Sequence, residues 1–191
     1  MNKKGRIFVI SSPSGGGKTT VALRVLSKTD GLVRSISMTT RAPRPGEKNG
    51  ADYFFVSKEE FEKIKQGGGF LESAEVFGRQ YGTPRKFVEA ELARGKDVLL
   101  VIDVQGGLQV KRNCPDAELI FIDPPSLEEL ERRLRERKTD SEESIQTRLN
   151  MAREELADVV HYDHVVQNHQ DVELAVKDTM NIIRKARAGK A

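Results

Sequence analysis

Three consecutive glycines stand directly before a lysine and a threonine in Ser12-Pro13-Ser14-Gly15-Gly16-Gly17-Lys18-Thr19. Glycines in a row let successive backbone N–H groups turn toward one point and form an anion nest. A helix starting behind them adds about half a positive charge at its N-terminus. This is the pattern of a Walker A phosphate loop, in which Lys18 reaches the β- and γ-phosphates of a nucleotide and the Thr19 hydroxyl ligates Mg²⁺. Ser12 stands where the pattern asks for its first glycine, a place that a small residue fills when its φ is negative. The plain alternative is a Gly-rich turn that binds nothing; the strand before it and the helix after it favour the phosphate loop.

Other groups could serve a second anion. Arg41 and Arg44 lie three apart in a loop rich in proline and glycine. A guanidinium grips phosphate with two parallel hydrogen bonds, so the pair suits an acceptor monophosphate; two unrelated surface charges are the alternative. Asp103 follows an apolar strand, at the edge where α/β sheets bind ligands, and there it can organise Mg²⁺ waters or orient a nucleotide. Arg132, Arg133, Arg135 and Arg137 share one helix, with Arg148 on the next. Arg133 and Arg137 are four apart and share a face. Arg132 and Arg135 read as a solvated face paired with Glu128, Glu131 and Glu136. Transfer of a phosphoryl group needs this kind of cationic surround, because two anionic molecules must be held together.

The elements that position these residues alternate regularly. Ile7-Phe8-Val9-Ile10 predicts a buried strand, followed by the glycine loop and a helix over Thr19 to Lys28. Val33 to Thr39 predicts a strand, Arg41 to Asp52 a loop, and Tyr53 to Val56 a strand. Ser57-Lys58-Glu59-Glu60 is a capping box opening a short helix with Phe61 and Ile64 inward. Phe70 to Phe77 and Gln80 to Thr83 predict a hairpin, and Pro84 opens a helix to about Arg94. Val98 to Ile102 and Leu119 to Ile122 are apolar runs of buried parallel strands. A helix follows Gln105. Further helices run from Ser126, with Leu127, Leu130 and Leu134 as its stripe, and from near Ser141, with Ile145, Leu149 and Leu156. His164 to Val166 predicts a last strand, and a helix after Asp171 ends near Ala188. Strand-helix alternation implies a parallel sheet covered on both faces. Residues 37 to 89 break the rhythm and predict an inserted substrate lobe.

Composition narrows the class. The chain has 191 residues, 32 Lys plus Arg against 29 Asp plus Glu, and one cysteine. This length buries roughly 70% of the unfolded surface, enough for a core without disulfides. The near-balance of charge argues against a cationic nucleic-acid arm. Cys114 cannot form an internal disulfide, and it has no histidine nearby in sequence. His161, His164 and His169 cluster near one strand edge but have no cysteine beside them, so packing or surface roles are preferred to a metal site. No apolar run approaches the length of a membrane span, and the N-terminus carries no cleavable signal. These features predict a soluble cytoplasmic protein with no nucleic-acid or membrane partner.

Several segments together resemble the guanylate kinase family. They are Ser35-Ile36-Ser37-Met38-Thr39-Thr40-Arg41-Ala42-Pro43-Arg44-Pro45-Gly46-Glu47, Asn49-Gly50-Ala51-Asp52-Tyr53-Phe54-Phe55-Val56, Phe70-Leu71-Glu72, Tyr81-Gly82-Thr83, Ile102-Asp103-Val104-Gln105-Gly106, Pro124-Pro125-Ser126 and Val166-Gln167-Asn168. They occur in order over nearly the whole chain. The resemblance implies an α/β fold with a P-loop NTPase-type parallel sheet core flanked by helices, an inserted mixed α/β GMP-binding lobe and a helical lid. It implies one domain over 1–191, with core 1–36, 90–125 and 157–191, lobe about 37–89 and lid about 126–156. The implied reaction is ATP + GMP ⇌ ADP + GDP with Mg²⁺, in purine nucleotide metabolism, by a monomer or a homodimer.

The family's roles transfer residue by residue. The resemblance implies that Arg41, Arg44, Tyr53 and Tyr81 bind the GMP phosphate. It implies that Glu72 accepts from N1–H and N2–H of guanine, that Ser37 and Thr83 supply hydroxyls, and that Asp103 lies near GMP and metal. Read without the resemblance, Glu72 is more simply a solvated carboxylate. ATP falls to Pro13, Ser14, Gly15, Gly16, Gly17, Lys18, Thr19 and Thr20, with Arg137 and Asn168. Lys18, Arg41, Arg133, Arg137 and Arg148 are the implied catalytic set, and Thr19 is the implied Mg²⁺ ligand, with Asp103 acting through water. The chain departs from the family pattern at Thr83 (usually Ser), Val101 (often an acid), Lys138 (usually Gly) and His169 (usually an acid). The Asp103-to-Gly106 segment also mimics a GTPase switch, but the Asn-Lys-x-Asp motif for guanine is missing from the sequence. Two other readings remain: an inactive guanylate-kinase-like interaction module, and a P-loop kinase for a ribose phosphate.

Overall fold

Strand β1 (Ile7–Ser11) is buried along its whole length, as an apolar run covered on both faces should be. The computed structural model describes residues 4–136, 141–168 and 171–189. The architecture is mixed α/β, with parallel strands flanked by helices. The chain divides into two compact units: Met1–Ile7, Gly31–Leu100 and Gln105–Ala117 form one, and Phe8–Asp30, Val101–Val104 and Glu118–Ala191 the other.

In the second unit, β8 (Glu118–Asp123) lies between β1 and β9 (His164–Gln167), parallel to both. Helix α1 (Lys18–Ser27) starts straight after the glycine loop and buries Val21, Ala22 and Val25. It packs against α7 (Val172–Ala188). Helices α5 (Leu127–Glu136) and α6 (Glu142–Ala157) make their own small core from Leu130, Leu134, Ile145, Leu149 and Ala152, with Leu127 at its edge. Five such side chains at i, i+3 and i, i+4 spacing account for the pairing of two otherwise charged helices.

In the first unit, β2 (Leu32–Arg34) runs parallel to β7 (Asp97–Val101). A separate four-stranded sheet has the order β4 (Phe54–Phe55), β3 (Met38–Thr39), β6 (Arg79–Pro84), β5 (Phe70–Val76). Helix α2 (Lys58–Gln66) is capped by Ser57, whose side chain accepts from Glu60 N at 3.1 Å, as the capping box predicts. Its Phe61 ring stacks on Phe70 at 4.5 Å. The β5–β6 hairpin turns at Phe77 and Gly78, both at positive φ, the geometry of a tight type I′ turn. Helices α3 (Arg85–Ala93) and α4 (Val104–Asn113) and a short 3₁₀ helix at Asp158–His161 complete the elements of the described residues.

The structure corrects one predicted strand. Val33 to Thr39 is not continuous: β2 ends at Arg34 and β3 begins at Met38. Ser35 N donates to Leu99 O and Ser37 O accepts from Phe54 N, so the backbone changes sheet within three residues. Alternating patterns at both ends look like one strand, because periodicity does not reveal which sheet a residue joins.

Candidate active site

The glycine loop is a cradle made of backbone. Gly15 and Gly17 sit at φ 93° and 96°, a region L side chains rarely adopt. A Cβ on Gly16 would lie 1.8 Å from Ser12 Oγ, and one on Gly17 would lie 2.4 Å from Asn168 Nδ2. The loop closes on itself through Gly16 N donating to Pro13 O at 2.9 Å. Ser12 keeps a non-positive φ, so serine fits where the motif asks for glycine. Its hydroxyl is buried with no hydrogen-bond partner, an orphaned donor beside the nest. Lys18 is half-buried at the first turn of α1, and Thr19 and Thr20 are exposed beside it. Such a cradle fits an anionic phosphate chain.

Side chains from three elements converge on this loop. Arg148 Nη1 donates to Ser14 Oγ at 2.9 Å. Arg133 Nε donates to Glu129 Oε1 at 2.7 Å, and its Nη1 lies 3.8 Å from the point a Gly17 Cβ would occupy. Asn168 is buried and donates from Nδ2 to Gly16 O at 2.7 Å, which ties it to the loop. Leucines 130 and 134 approach Gly15 from α5. Arg132 pairs with Glu129 and Glu136, and Arg135 with Glu131 and Glu142, on the exposed face. Arg137, Lys138 and His169 lie outside the described residues.

Asp103 is half-buried, with its carbonyl accepting from Ser11 Oγ at 3.2 Å. Glu155 of α6, which the motif analysis passes over, belongs to the same electrostatic neighbourhood. Burial pushes its carboxyl up to about 7; Lys18 opposes this, while Asp103, Asp158 and Glu154 add to it. Only the fold could bring Glu155 to notice, because in sequence it is one glutamate among several. Among the described residues no cluster of three His, Cys, Asp or Glu could hold a metal ion. Mg²⁺ keeps most of its waters and binds through phosphates and one or two protein oxygens, the kind of oxygen that the exposed Thr19 and half-buried Asp103 offer. Burial raises the Cys114 thiol above its ordinary value.

The other unit holds a cluster of paired polar and aromatic side chains. Arg41 is clamped from several sides. Its Nη2 donates to Glu47 Oε1 at 2.8 Å and its Nη1 to Ala42 O at 2.8 Å. Its guanidinium lies 5.4 Å from the Tyr53 ring centre and 5.8 Å from that of Phe55. Tyr53 meets Tyr81 edge to face at 6.0 Å, and burial, followed by Tyr81, raises the Tyr53 hydroxyl. Glu47 Oε2 also accepts from Arg44 N at 2.7 Å, and the bond from Arg41 holds its carboxyl below the usual range. The Arg44 side chain is exposed. Glu47 stands inside the quoted motif, three residues after Arg44, and its role was not legible there.

Deeper in this unit Glu72 is 5% exposed and Thr83 fully buried. Thr83 Oγ1 donates to Glu72 Oε1 at 2.6 Å. Ser37 is buried too. A short bond of this kind fixes where the carboxylate points.

A family model for guanylate kinases matches residues 4–186. The chain belongs to the guanylate kinase family. It is 52% identical over 193 residues to the guanylate kinase of Thermus thermophilus, covering 98% of this chain and 87% of that one. It is 50% identical to the guanylate kinase of Streptococcus thermophilus, over 96% of this chain and 88% of that one. A crystal structure of guanylate kinase from Anaplasma phagocytophilum superposes with a TM-score of 0.83 at 39% identity, covering 99% and 89% of the two chains. The chain is therefore an enzyme of the guanylate kinase type, and the family's phosphotransfer is the frame for its site. Among the described residues no helix is long and apolar enough to cross a membrane.

Proposed function

We propose that this chain transfers the γ-phosphoryl group of ATP to GMP, giving ADP and GDP, with Mg²⁺ bound alongside ATP. The buried Glu72–Thr83 pair carries the reading. A carboxylate buried this deeply is costly unless something uses it. Guanine presents two adjacent N–H donors, at N1 and N2, that match its two oxygens; adenine presents an acceptor at N1.

In this reading Ser14 to Gly17 hold the phosphates of ATP through backbone amides, with Pro13 and Thr20 beside them and Asn168 on the adenine side, and Lys18 bridges the β- and γ-groups. The Thr19 hydroxyl ligates Mg²⁺ and Asp103 orients its waters; the ion supplies charge neutralisation between the phosphates. Arg41, Arg44, Tyr53 and Tyr81 hold the GMP phosphate, with Ser37, Glu72 and Thr83 on the base. An oxygen of that phosphate attacks the γ-phosphorus as the bond to the β-phosphate oxygen breaks, and ADP leaves. The nucleophile is already anionic, so no general base is required. Catalysis is positioning plus charge stabilisation by Lys18, Arg133 and Arg148, joined by Arg137. We assign the GMP lobe to about 37–89, the lid to about 126–156 and the core to 1–36, 90–125 and 157–191. A cytoplasmic enzyme of GMP recycling fits this activity.

The test is ADP release with ATP and Mg²⁺ in the presence of GMP, AMP, UMP or ribose 5-phosphate. Turnover is expected with GMP alone. Turnover with ribose 5-phosphate instead, or with none of them, would overturn the assignment.

A further inference from the structure

Glu72 does not sit in a regular strand. The β5–β6 register passes from Phe70↔Pro84 to Ser73↔Gly82 with a shift between. Leu71 and Glu72 thus oppose the single residue Thr83, which is a β-bulge. Regular strands alternate faces, yet Phe70, Leu71 and Glu72 are buried in succession, at 7%, 3% and 5% exposure. A bulge re-aims a side chain and disrupts the ladder beside it. Here it sets Leu71 and Glu72 together opposite Thr83, and it frees backbone groups that need other partners.

Those partners come from one helix. Asn113 Nδ2 donates to Leu71 O at 3.0 Å, and Gln109 Oε1 accepts from Ser73 N at 3.3 Å. The two residues are four apart on α4 and share a face. They hold the carbonyl before Glu72 and the amide after it, so the carboxylate is bracketed on both sides. Arg85 Nη2 donates to the next carbonyl back, Phe70 O, at 3.0 Å. Without such brackets a bulge can relax toward regular pairing, and a one-residue slip would turn Glu72 to the opposite face.

We propose that Gln109 and Asn113 are positioning residues that set guanine specificity by fixing the bulge from which Glu72 reads the base. The inference rests on the proposed role of Glu72. Neither residue touches the nucleotide. Their effect reaches the base only through the aim of the Glu72 carboxylate, whose contact to the exocyclic 2-amino group is the one GMP has and IMP lacks.

The experiment compares GMP with IMP, which lacks that amino group, in steady-state assays with ATP and Mg²⁺. The Gln109→Leu/Asn113→Leu double variant removes both brackets at nearly constant size. Its GMP-over-IMP ratio of kcat/KM is expected to fall about tenfold, through KM for GMP, with KM for ATP and turnover on saturating IMP unchanged. Asn113 is exposed, so its single variants fold even if the double variant does not. Asn113→Leu should lower the ratio about threefold, and Asn113→Lys, which keeps an N–H donor, should retain it. An equal loss on GMP and IMP, or an unchanged ratio, would overturn the proposal. Glu72→Gln is the separate arm. If it fails to reduce the ratio, the base-reading role falls and this inference falls with it. If Glu72→Gln reduces the ratio and the α4 variants do not, only this inference fails.

Discussion

The two proposed nucleotide sites are built from different materials. The donor loop offers mainly backbone amides, shaped by glycines at φ 93° and 96°. The acceptor pocket offers side chains, each held by another: Arg41 by Glu47, Glu72 by Thr83. Backbone amides recognise phosphate, which every nucleotide has, so such a loop binds tightly and discriminates little. Side-chain groups recognise one pattern of donors and acceptors, so that pocket discriminates. The division of labour follows from the materials, and substitutions on either side should fail in different ways.

Breaking the donor side should cost the most. Lys18→Ala removes a charge that acts on the transferring group, and kcat should fall by about 10²–10³ or more. The melting temperature should stay put, because Lys18 is only half-buried at the first turn of α1. A loss confined to KM for ATP would mean that Lys18 only binds, and the contrast between binding loop and discriminating pocket would need redrawing.

On the acceptor side the loss should be of choice rather than of speed. Glu72→Gln replaces one oxygen by a donor facing guanine's own donors. The preference for GMP over AMP should fall about 100-fold, the scale of one or two charged hydrogen bonds. The Michaelis constant for ATP should not move. Equal losses with both acceptors would show that Glu72 supports the fold and does not read the base.

Glu47→Gln tests whether the acceptor arginine needs its clamp. The carboxylate accepts from Arg41 Nη2 and from Arg44 N. An amide can satisfy only one of these and turns a donor on the other. KM for GMP should rise about tenfold while KM for ATP and the GMP preference hold. A lowered KM would mean that Glu47 competes with the phosphate for Arg41.

The two sides also differed in how far sequence could reveal them. The donor loop is contiguous: strand, glycines, Lys18 and helix follow one another, and the cradle's requirement for glycine is written in the residues. Leu130, Leu134, Ile145 and Leu149 likewise announced a helix pair by their spacing. The acceptor pocket is assembled from β3, β5, β6 and the loop between, and no local period marks it. In its proposed role Glu72 stands at a bulge whose flanking backbone groups bond to side chains of α4 some forty residues away, at |i−j| of 36 and 42. The single strand expected over Val33 to Thr39 failed for the same reason, since sheet membership is decided by partners distant in sequence.

One carboxylate on the donor side sharpens the contrast further. Glu47 is drawn below the usual carboxylate range by Arg41, whereas Glu155 is pushed up to about 7 chiefly by burial, with Asp103, Asp158 and Glu154 adding to the push and Lys18 opposing it. A raised acid binds its proton in the folded state over a range, from about 4.5 to about 7, in which the unfolded chain has released it. The folded state then holds more protons, so stability falls as pH rises through that window and levels off above it. Glu155→Gln removes the decline, since glutamine stays neutral. The variant should gain about 1–3 kcal/mol over the parent between pH 5 and pH 8, and urea unfolding at each pH measures it. Other titrating groups cancel in the difference. A gap that does not change with pH would place Glu155 in water and leave the donor side with no strained acid. A gap that shrinks as pH rises would mean that Lys18 outweighs burial and holds Glu155 ionised as a partner, which would make the donor lysine clamped by a carboxylate just as Arg41 is.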